Sequence, residues 1–451
     1  MAIRRTFLSL RPMLEIALSL ACIFFAIYLI GRWKIFHVDG VPVRVFQLLF
    51  ITKIAAAILL YIIYTRFYTE RAYADIFRYY DDSAVIYNSL FTHPGHYFAM
   101  LTGIGSDAPE LQTYYDTMLN WYNTDLVFND SRTMIRINAF LRLFSMGTYF
   151  PHAVLMCFLA MTGLTGIFRW LHRMAPDREL LLTVVVYLLP STLLWTSGMI
   201  KEAFLVFALG SLFYQIECWK NSGRVHVRTV AGVLFPVLIL LTVKAYVFFL
   251  IAPVILIYAV SEKVKMNKWV FNLLVFGVYL SLLSLVAPMI TGREVPELIA
   301  NKQAEFYHVA SREQAKSLVE IERIQPEWSS LFRTAPGAFF RSLVLPMPWH
   351  AHNILMWFSV AENLFILALL LLMIFSVKRK FVEGLNSTVI ALFFFGSFVF
   401  ILSGWVTPII GALVRYKVPG LPFVIYFFAA LSWRKWMSGK MLSLYHSEIK
   451  S

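Results

Sequence analysis

Leu364-Phe365-Ile366-Leu367-Ala368-Leu369-Leu370-Leu371-Leu372-Met373-Ile374-Phe375 runs without a single polar side chain. Val230 to Leu241 is nearly as unbroken. Runs of this kind have no alternating face, so they read as segments surrounded by apolar material on every side. A hydrocarbon core of roughly 30 Å takes about 20 helical residues to cross. Backbone polar groups in lipid must be satisfied within the segment, which selects helices. Working outward, candidate spans fall at 14–31, 45–64, 151–171, 179–198, 201–219, 229–244, 246–261, 269–290, 354–376, 385–405 and 409–432. The expected fold class is therefore all-α: a polytopic helical membrane protein with about 11 spans (10–12) and two large, partly helical outer-face loops.

Composition agrees. The 451 residues are 59% hydrophobic and 15% charged, with a mean hydropathy of +0.68. A soluble domain carries more charge. The net charge of +14 comes from short basic clusters between apolar runs. Arg169/Arg173/Arg178, Lys220/Arg224/Arg228, Lys263/Lys265/Lys268, Lys378/Arg379/Lys380 and Arg434/Lys435/Lys440 are each two spans apart, which puts all five on the cytoplasmic side. Nucleic-acid binding needs a basic face with readout groups, and no such face is present in the sequence. Cys22, Cys157 and Cys218 lie far apart in or beside apolar runs, with neither zinc spacing nor a disulfide framework. Residues 14–31 are too long, and lack the cleavage pattern, for a signal peptide, and read as a retained span.

These boundaries divide the chain into N-terminal spans (1–65), a first outer loop with an acidic cluster and amphipathic helices (66–150), central spans (151–290), a second outer loop (291–353), and C-terminal spans with a cytoplasmic tail (354–451). The first loop holds six Arg and nine Asp or Glu, and the second is near neutral. Long ordered loops usually carry function. Arg4, Arg5 and Arg11 argue for an inside N-terminus. Two spans before an outer loop then require an outside N-terminus, a re-entrant or interfacial segment, or a further span. Asn129 to Ser131 can cap a helix in which Ile135, Ala139 and Phe140 share one face and Arg132 and Arg136 another. Ala304 to Arg323 is helix-prone and ends before Pro326.

Ionisable groups inside spans are costly and are functional candidates. They are Lys53, Lys201, Glu202, Lys244, Glu362, Arg415 and Lys417. Lys201, Lys244, Arg415, Tyr416 and Lys417 fall at outer turns or in the outer half of the last span, where cations can hold a lipid phosphate. The bland alternative is that they pair locally or snorkel. Asp75, Asp81 and Asp82 lie within eight residues after the second span. A carboxylate there can serve as general base, and Asp75 with Asp82 can hold a divalent cation such as Mg or Mn; each can equally be a helix cap or an Arg partner. Glu202, Asp130, Arg132, Arg136, Arg341 and His350 complete the set, as substrate-binding candidates. His350 and His352 can be metal ligands or acids, against packing with Trp349. No phosphate loop, dinucleotide fingerprint, HExxH or nucleophile elbow is present.

A span followed by a loop with Asp75, Tyr79 and Ser83 or Ala84 resembles the GT-C superfamily of membrane glycosyltransferases, which depend on polyprenyl-phosphate sugars. Arg415-Tyr416-Lys417-Val418-Pro419-Gly420-Leu421-Pro422 resembles the Arg-Tyr-x-x-Pro-x-x-Pro stretch near the C-terminus of many members. Leu189-Pro190-Ser191 to Trp195, Ser197-Gly198, Lys201-Glu202 and Asn129-Asp130-Ser131-Arg132 are similar to polytopic proteins of Bacteroidetes-type bacteria. The chain departs from the superfamily in having two spans before the acidic loop, and no second acidic residue directly after Asp75. The resemblance implies sugar transfer from a polyprenyl-phosphate-linked donor to a glycan, lipid or protein acceptor. That reaction would run at the outer face of a bacterial inner membrane, with the large loops periplasmic and the C-terminus cytoplasmic. Asp75 or Asp82 would be the base, and Arg415 with Lys201 would hold the lipid phosphate. The alternatives are an O-antigen-like polysaccharide polymerase, or a non-enzymatic transporter or flippase of lipid-linked glycans.

Overall fold

A computed structural model describes residues 2–67, 71, 74–121, 129–176, 178–223, 226–312, 317–377, 382 and 385–432, with the side chains of 2–11, 67, 75 and 432 outside the description. The clusters at 378–380 and 434–440, and the side chains of Arg4, Arg5 and Arg11, lie outside it, as does Arg224. Among the described residues the chain is helical throughout, with two isolated bridges (Val38 to Val41, Leu318 to Ile409) and no strand. The helices are α1 (Ala2–Arg32), α2 (Val43–Phe67), α3 (Asp75–Ser89), α4 (Pro94–Thr102), α5 (Gln112–Tyr115), α6 (Asp130–Ser145), α7 (Tyr149–Met174), α8 (Glu179–Thr183), α9 (Pro190–Trp195), α10 (Lys201–Ser222), α11 (Val227–Val260), α12 (Lys268–Thr291), α13 (Val295–Arg312), α14 (Trp328–Val344), α15 (Ile354–Ser376), α16 (Ser387–Val406), α17 (Ile410–Tyr416) and α18 (Leu421–Ser432).

Seven described helices are long and apolar enough to cross a bilayer, or eight if α17 and α18, bent by 73°, make one span. The protein is thus a multi-pass membrane protein, with fewer such helices than the eleven expected. The difference has local causes. The expected spans 229–244 and 246–261 are two helical segments that meet at Lys244, where the backbone leaves helical geometry (φ −153°, ψ 81°); they run on as the single 37-residue candidate Val227–Lys263, which contains α11. The expected span 179–198 breaks up: α8 passes into a π-turn over Val184–Leu188, and α9 restarts at Pro190. Pro190 has no amide to donate, so the preceding turn cannot continue as regular helix. The helix-prone stretch placed at 304–323 lies earlier, at Val295–Arg312.

The chain divides into two compact units. The first comprises Met1–Trp170 and Leu193–Ala245. There α7 and α10 cross at Gly163, Gly166 and Gly210, so closely that a Cβ on any of them would overlap the other helix's backbone. Small residues permit such approach, which is the main source of helix association in lipid. The first loop has a core of its own, in which Ile86, Tyr97, Met100, Leu111, Ile135 and Ala139 are buried together. Arg142 ties α6 to α3 and to the turn before α7. Its guanidinium lies over the Tyr80 ring at 3.8 Å and donates to Ser83 Oγ (2.8 Å), Tyr80 O (2.6 Å) and Gly147 O (3.1 Å). Burial lowers its pKa, and the nearby Tyr80 opposes that shift. The N-terminus of α7 is capped from a distance: Glu15 Oε1 accepts the amides of Tyr149 (3.0 Å) and Phe150 (3.1 Å).

The second unit comprises Leu171–Thr192 and Tyr246–Ser451. Its core is α14 against α16, with α15 and α18 alongside. Gly404 lets α16 approach the Ala338 carbonyl of α14, and Ser342 Oγ donates to Phe400 O (2.7 Å) across the same contact. The second loop packs onto the start of α17 through Val319 N–H to Pro408 O (2.8 Å) and Ile410 N–H to Ser317 O (3.0 Å).

Candidate functional site

Of the acidic residues after α2, Asp81 and Asp82 have described side chains, and they turn to separate partners. Asp75 is the first residue of α3, and its side chain lies outside the described residues. Asp81 is half-exposed and takes a bidentate fork from Arg71, with Nε at 2.6 Å and Nη2 at 2.8 Å. That hydrogen bond raises the Arg71 pKa. Asp82 is 5% exposed and accepts three hydrogen bonds from one turn, from Leu119 N–H (3.1 Å), Asn120 N–H (2.7 Å) and Asn120 Nδ2 (3.0 Å). A carboxylate saturated by backbone donors anchors a loop. Asp82→Ala orphans two amides and is expected to cost about 1–3 kcal/mol. The check is thermal unfolding in detergent together with limited proteolysis of 103–121; an unchanged midpoint and cleavage rate would refute the anchor.

The groups that do converge sit where the helix is interrupted between α9 and α10. Thr196 to Ile200 leaves helical hydrogen bonding, and α10 restarts at Lys201. Lys201 Nζ meets Asp130 Oδ2 at 2.6 Å and lies 5.0 Å from the centre of the Tyr79 ring. Asp130 is the first residue of α6, capped as the sequence predicts: Asn129 Oδ1 accepts the amides of Ser131 and Arg132, both at 3.1 Å. The next residue of α10, Glu202, turns inward and accepts from Lys244 Nζ at 3.2 Å, with side chains 0% and 5% exposed. Asp130 is by contrast 48% exposed. One helix start therefore carries a buried ion pair and, beside it, a second pair whose carboxylate is open to solvent.

Below the break, Lys53 of α2 is 1% exposed and donates to Thr196 Oγ1 and to Ser197 Oγ (3.2 Å). Cys157 Sγ donates to Ser197 O (3.5 Å). Lys53 thus pins the unwound segment through hydroxyls. The sequence flags Lys53 as an ionisable residue within a span; its partners, more than 140 residues away, carry no local signal.

Arg132 and Arg136 follow Asp130 along α6, both over the indole of Trp121, with guanidinium carbons 4.9 and 5.3 Å from its centre. The remaining candidates belong to the second unit. Arg341 donates to Gly404 O (3.3 Å), and burial lowers its pKa. His350 Nδ1 accepts Met347 N–H (3.3 Å), and its ring lies 5.7 Å from that of Trp349. Arg415 is half-buried at the end of α17, and Tyr416 meets Phe306 edge-on at 5.4 Å. Lys417 is 0% exposed and donates to Asn363 Oδ1 (2.7 Å), Ser342 O (3.3 Å) and Leu345 O (3.3 Å). With those three acceptors it ties the end of α14 to α15, a different task from the lipid-phosphate contact expected of it. Glu362, 2% exposed, accepts the Ser191 amide at 2.6 Å. Among the described residues, no three His, Cys, Asp or Glu gather in a way that would hold a metal ion.

Comparison with family models, with curated proteins and with solved structures finds no match to the chain.

Proposed function

We propose that the chain is a membrane glycosyltransferase that moves a sugar from a polyprenyl-phosphate carrier to an acceptor hydroxyl at the outer face of a bacterial inner membrane. The observation that carries this reading is the solvent-open Asp130 carboxylate, held by Lys201 at the start of α10 beside the buried Glu202–Lys244 pair. Direct displacement at an anomeric carbon needs a group to take the acceptor proton and a fixed positive field for the departing phosphate. Asp130 accepts the hydroxyl proton as the acceptor oxygen bonds to the anomeric carbon. The carbon–phosphate-oxygen bond breaks, and its electron pair leaves with the lipid phosphate. The Lys201 ammonium, beside Asp130 at the start of α10, supplies positive charge next to that phosphate. The amide end of the 22-residue α10 adds to the same field. Glu202 and Lys244 hold the start of α10 in place. Asp130 thereby takes the base role, in place of Asp75 or Asp82.

Transfer from radiolabelled polyprenyl-phosphate sugars by purified protein in lipid nanodiscs tests this. Asp130→Asn is expected to lower the rate about 100-fold or more, with folding unchanged. A wild-type rate in Asp130→Asn, with activity abolished by Asp75→Asn, would move the base to α3. A second reading, transport of lipid-linked glycans, is favoured by the interruptions at 196–200, at Lys244 and between α17 and α18, since broken helices with buried ionisable groups suit alternating access. Absence of transfer from every donor, with glycolipid movement across proteoliposomes, would select it.

A further inference from the structure

Residues 291–353, expected as an outer loop, contain a helix too short to span a bilayer that is nonetheless bound to the spans. On one side α14 buries Leu331, Thr334, Ala338 and Ser342. The last three meet α16. The Trp405 indole donates to Thr334 Oγ1 (2.9 Å), Gly404 leaves room for the Ala338 carbonyl, and Ser342 Oγ donates to Phe400 O (2.7 Å). From Thr334 to Ser342 the contacts therefore step from Trp405 to Phe400, away from the end of α16 at Val406 and into the span.

The end of α14 marks the depth. The last carbonyls of a helix lack partners within it. Here Ser342 O and Leu345 O accept from Lys417 Nζ, both at 3.3 Å, and Val344 O and Pro346 O accept from Asn363 Nδ2 at 3.1 and 3.2 Å. Asn363 is nine residues beyond Ile354, the first residue of α15. At 1.5 Å per residue that is roughly 14 Å, near the middle of a core about 30 Å thick. After Pro346 the chain must climb back, because α15 begins at Ile354. A non-helical turn at that depth is tolerated only where protein groups satisfy its backbone, and Lys417 and Asn363 do so.

The other side of α14 is apolar and open. Trp328, Phe332, Pro336 and Phe340 recur every four residues, so they form one stripe, and all four are exposed, Phe332 by 74% and Phe340 by 58%. The charges stay toward the entry end. Arg333 pairs with Glu322 at 2.8 Å, both exposed, and Arg341 reaches back to Gly404 O at 3.3 Å, as a snorkelling side chain does. We propose that α14 is a re-entrant helix that dips to about mid-membrane and returns over 345–353, and that its Trp328-to-Phe340 stripe docks on the acyl chains of the leaflet it enters. The hydrocarbon is the occupant because the stripe runs at the depth of α15 and α16, which are themselves spans. This holds whether the chain transfers sugars or moves glycolipids.

Nitroxide labels on the full chain in nanodiscs test this. Cys22 and Cys218 are replaced by Ala, and Cys157, which is fully buried, stays. Labels are attached in turn to Arg333→Cys, Phe332→Cys and Phe340→Cys, with Pro336→Cys standing in if Phe340→Cys fails to fold. Collisions with molecular oxygen, which concentrates in hydrocarbon, are compared with collisions with a water-soluble nickel chelate. The oxygen-to-nickel ratio is expected to rise in the order Arg333→Cys, Phe332→Cys, Phe340→Cys, by about 10-fold or more from first to last. Equal ratios at 333 and 340 would put the stripe in water and overturn the proposal. A ratio that falls toward 340 would reverse the direction of entry and overturn it too. Few collisions with either reagent at 332 and 340 would overturn it in favour of protein cover, by a second copy or another segment of the chain.

Discussion

Glu202→Gln is expected to destabilise the protein by about 3–5 kcal/mol, the cost of leaving one member of a buried ion pair without its counter-charge. The Glu202 side chain is 0% exposed and that of Lys244 5%, so water cannot replace the lost carboxylate. The backbone deepens the effect, because Lys244 is also where α11 leaves helical geometry and has amide and carbonyl groups there to satisfy. The double variant Glu202→Gln/Lys244→Met is expected to recover most of the loss, since removing both charges also removes the desolvation cost of each. Unfolding of wild type, of the Glu202→Gln and Lys244→Met singles and of the double variant in mild detergent gives the coupling directly. Singles no worse than the double would mean that the pair is not desolvated.

Gly210→Leu is expected to abolish the folded state. A Cβ at Gly210 would overlap the Gly163 carbonyl, one at Gly166 would overlap the Gly210 carbonyl, and one at Gly163 that of Val206. All are backbone atoms, which have no rotamer to change. Ordinary overpacking costs about 1–3 kcal/mol when side chains can shift; here α7 and α10 must separate along the whole crossing. Even Gly210→Ala is expected to be strongly destabilising. Gly277→Ala, where nothing lies within 4 Å of the added atom, provides the matched control and is expected to be neutral or slightly stabilising. A monodisperse, thermally normal Gly210→Leu protein by size exclusion and unfolding would refute the close crossing.

These two sites also mark the limits of reading the sequence. The spans around 364–375 and 230–241 are legible because one period of apolar residues fills them, and the Asn129 cap because its partners are two and three residues away. The break at Lys244 is legible too, as a lysine within an apolar run; hydropathy does not say that 179–198 breaks into short pieces around Pro190. Lys201, Glu202 and Lys244 stand out as charges in apolar surroundings. Their partners do not: Lys201 finds Asp130 71 residues away, and Lys244 finds Glu202 42 residues away. Asp82 misleads for the same reason. Beside Asp75 and Asp81 it looks like one member of a cluster, whereas its donors come from 37 and 38 residues downstream. Arg142 gives no warning that it clamps Tyr80, Ser83 and Gly147, the first two about 60 residues upstream.

Glu15 has a consequence for how the molecule is made. It sits in α1, and the amides it accepts are 134 and 135 residues further on. At the usual pace of ribosomes, about 5–20 residues per second, the Glu15 carboxylate waits roughly 7–27 s for the amides it accepts. During that interval a carboxylate stands in an apolar helix with its eventual donors not yet synthesised. The first helix can settle against α2 early, but its acidic residue is matched only when Tyr149 and Phe150 emerge, so the charge must be tolerated by the insertion machinery in the interval.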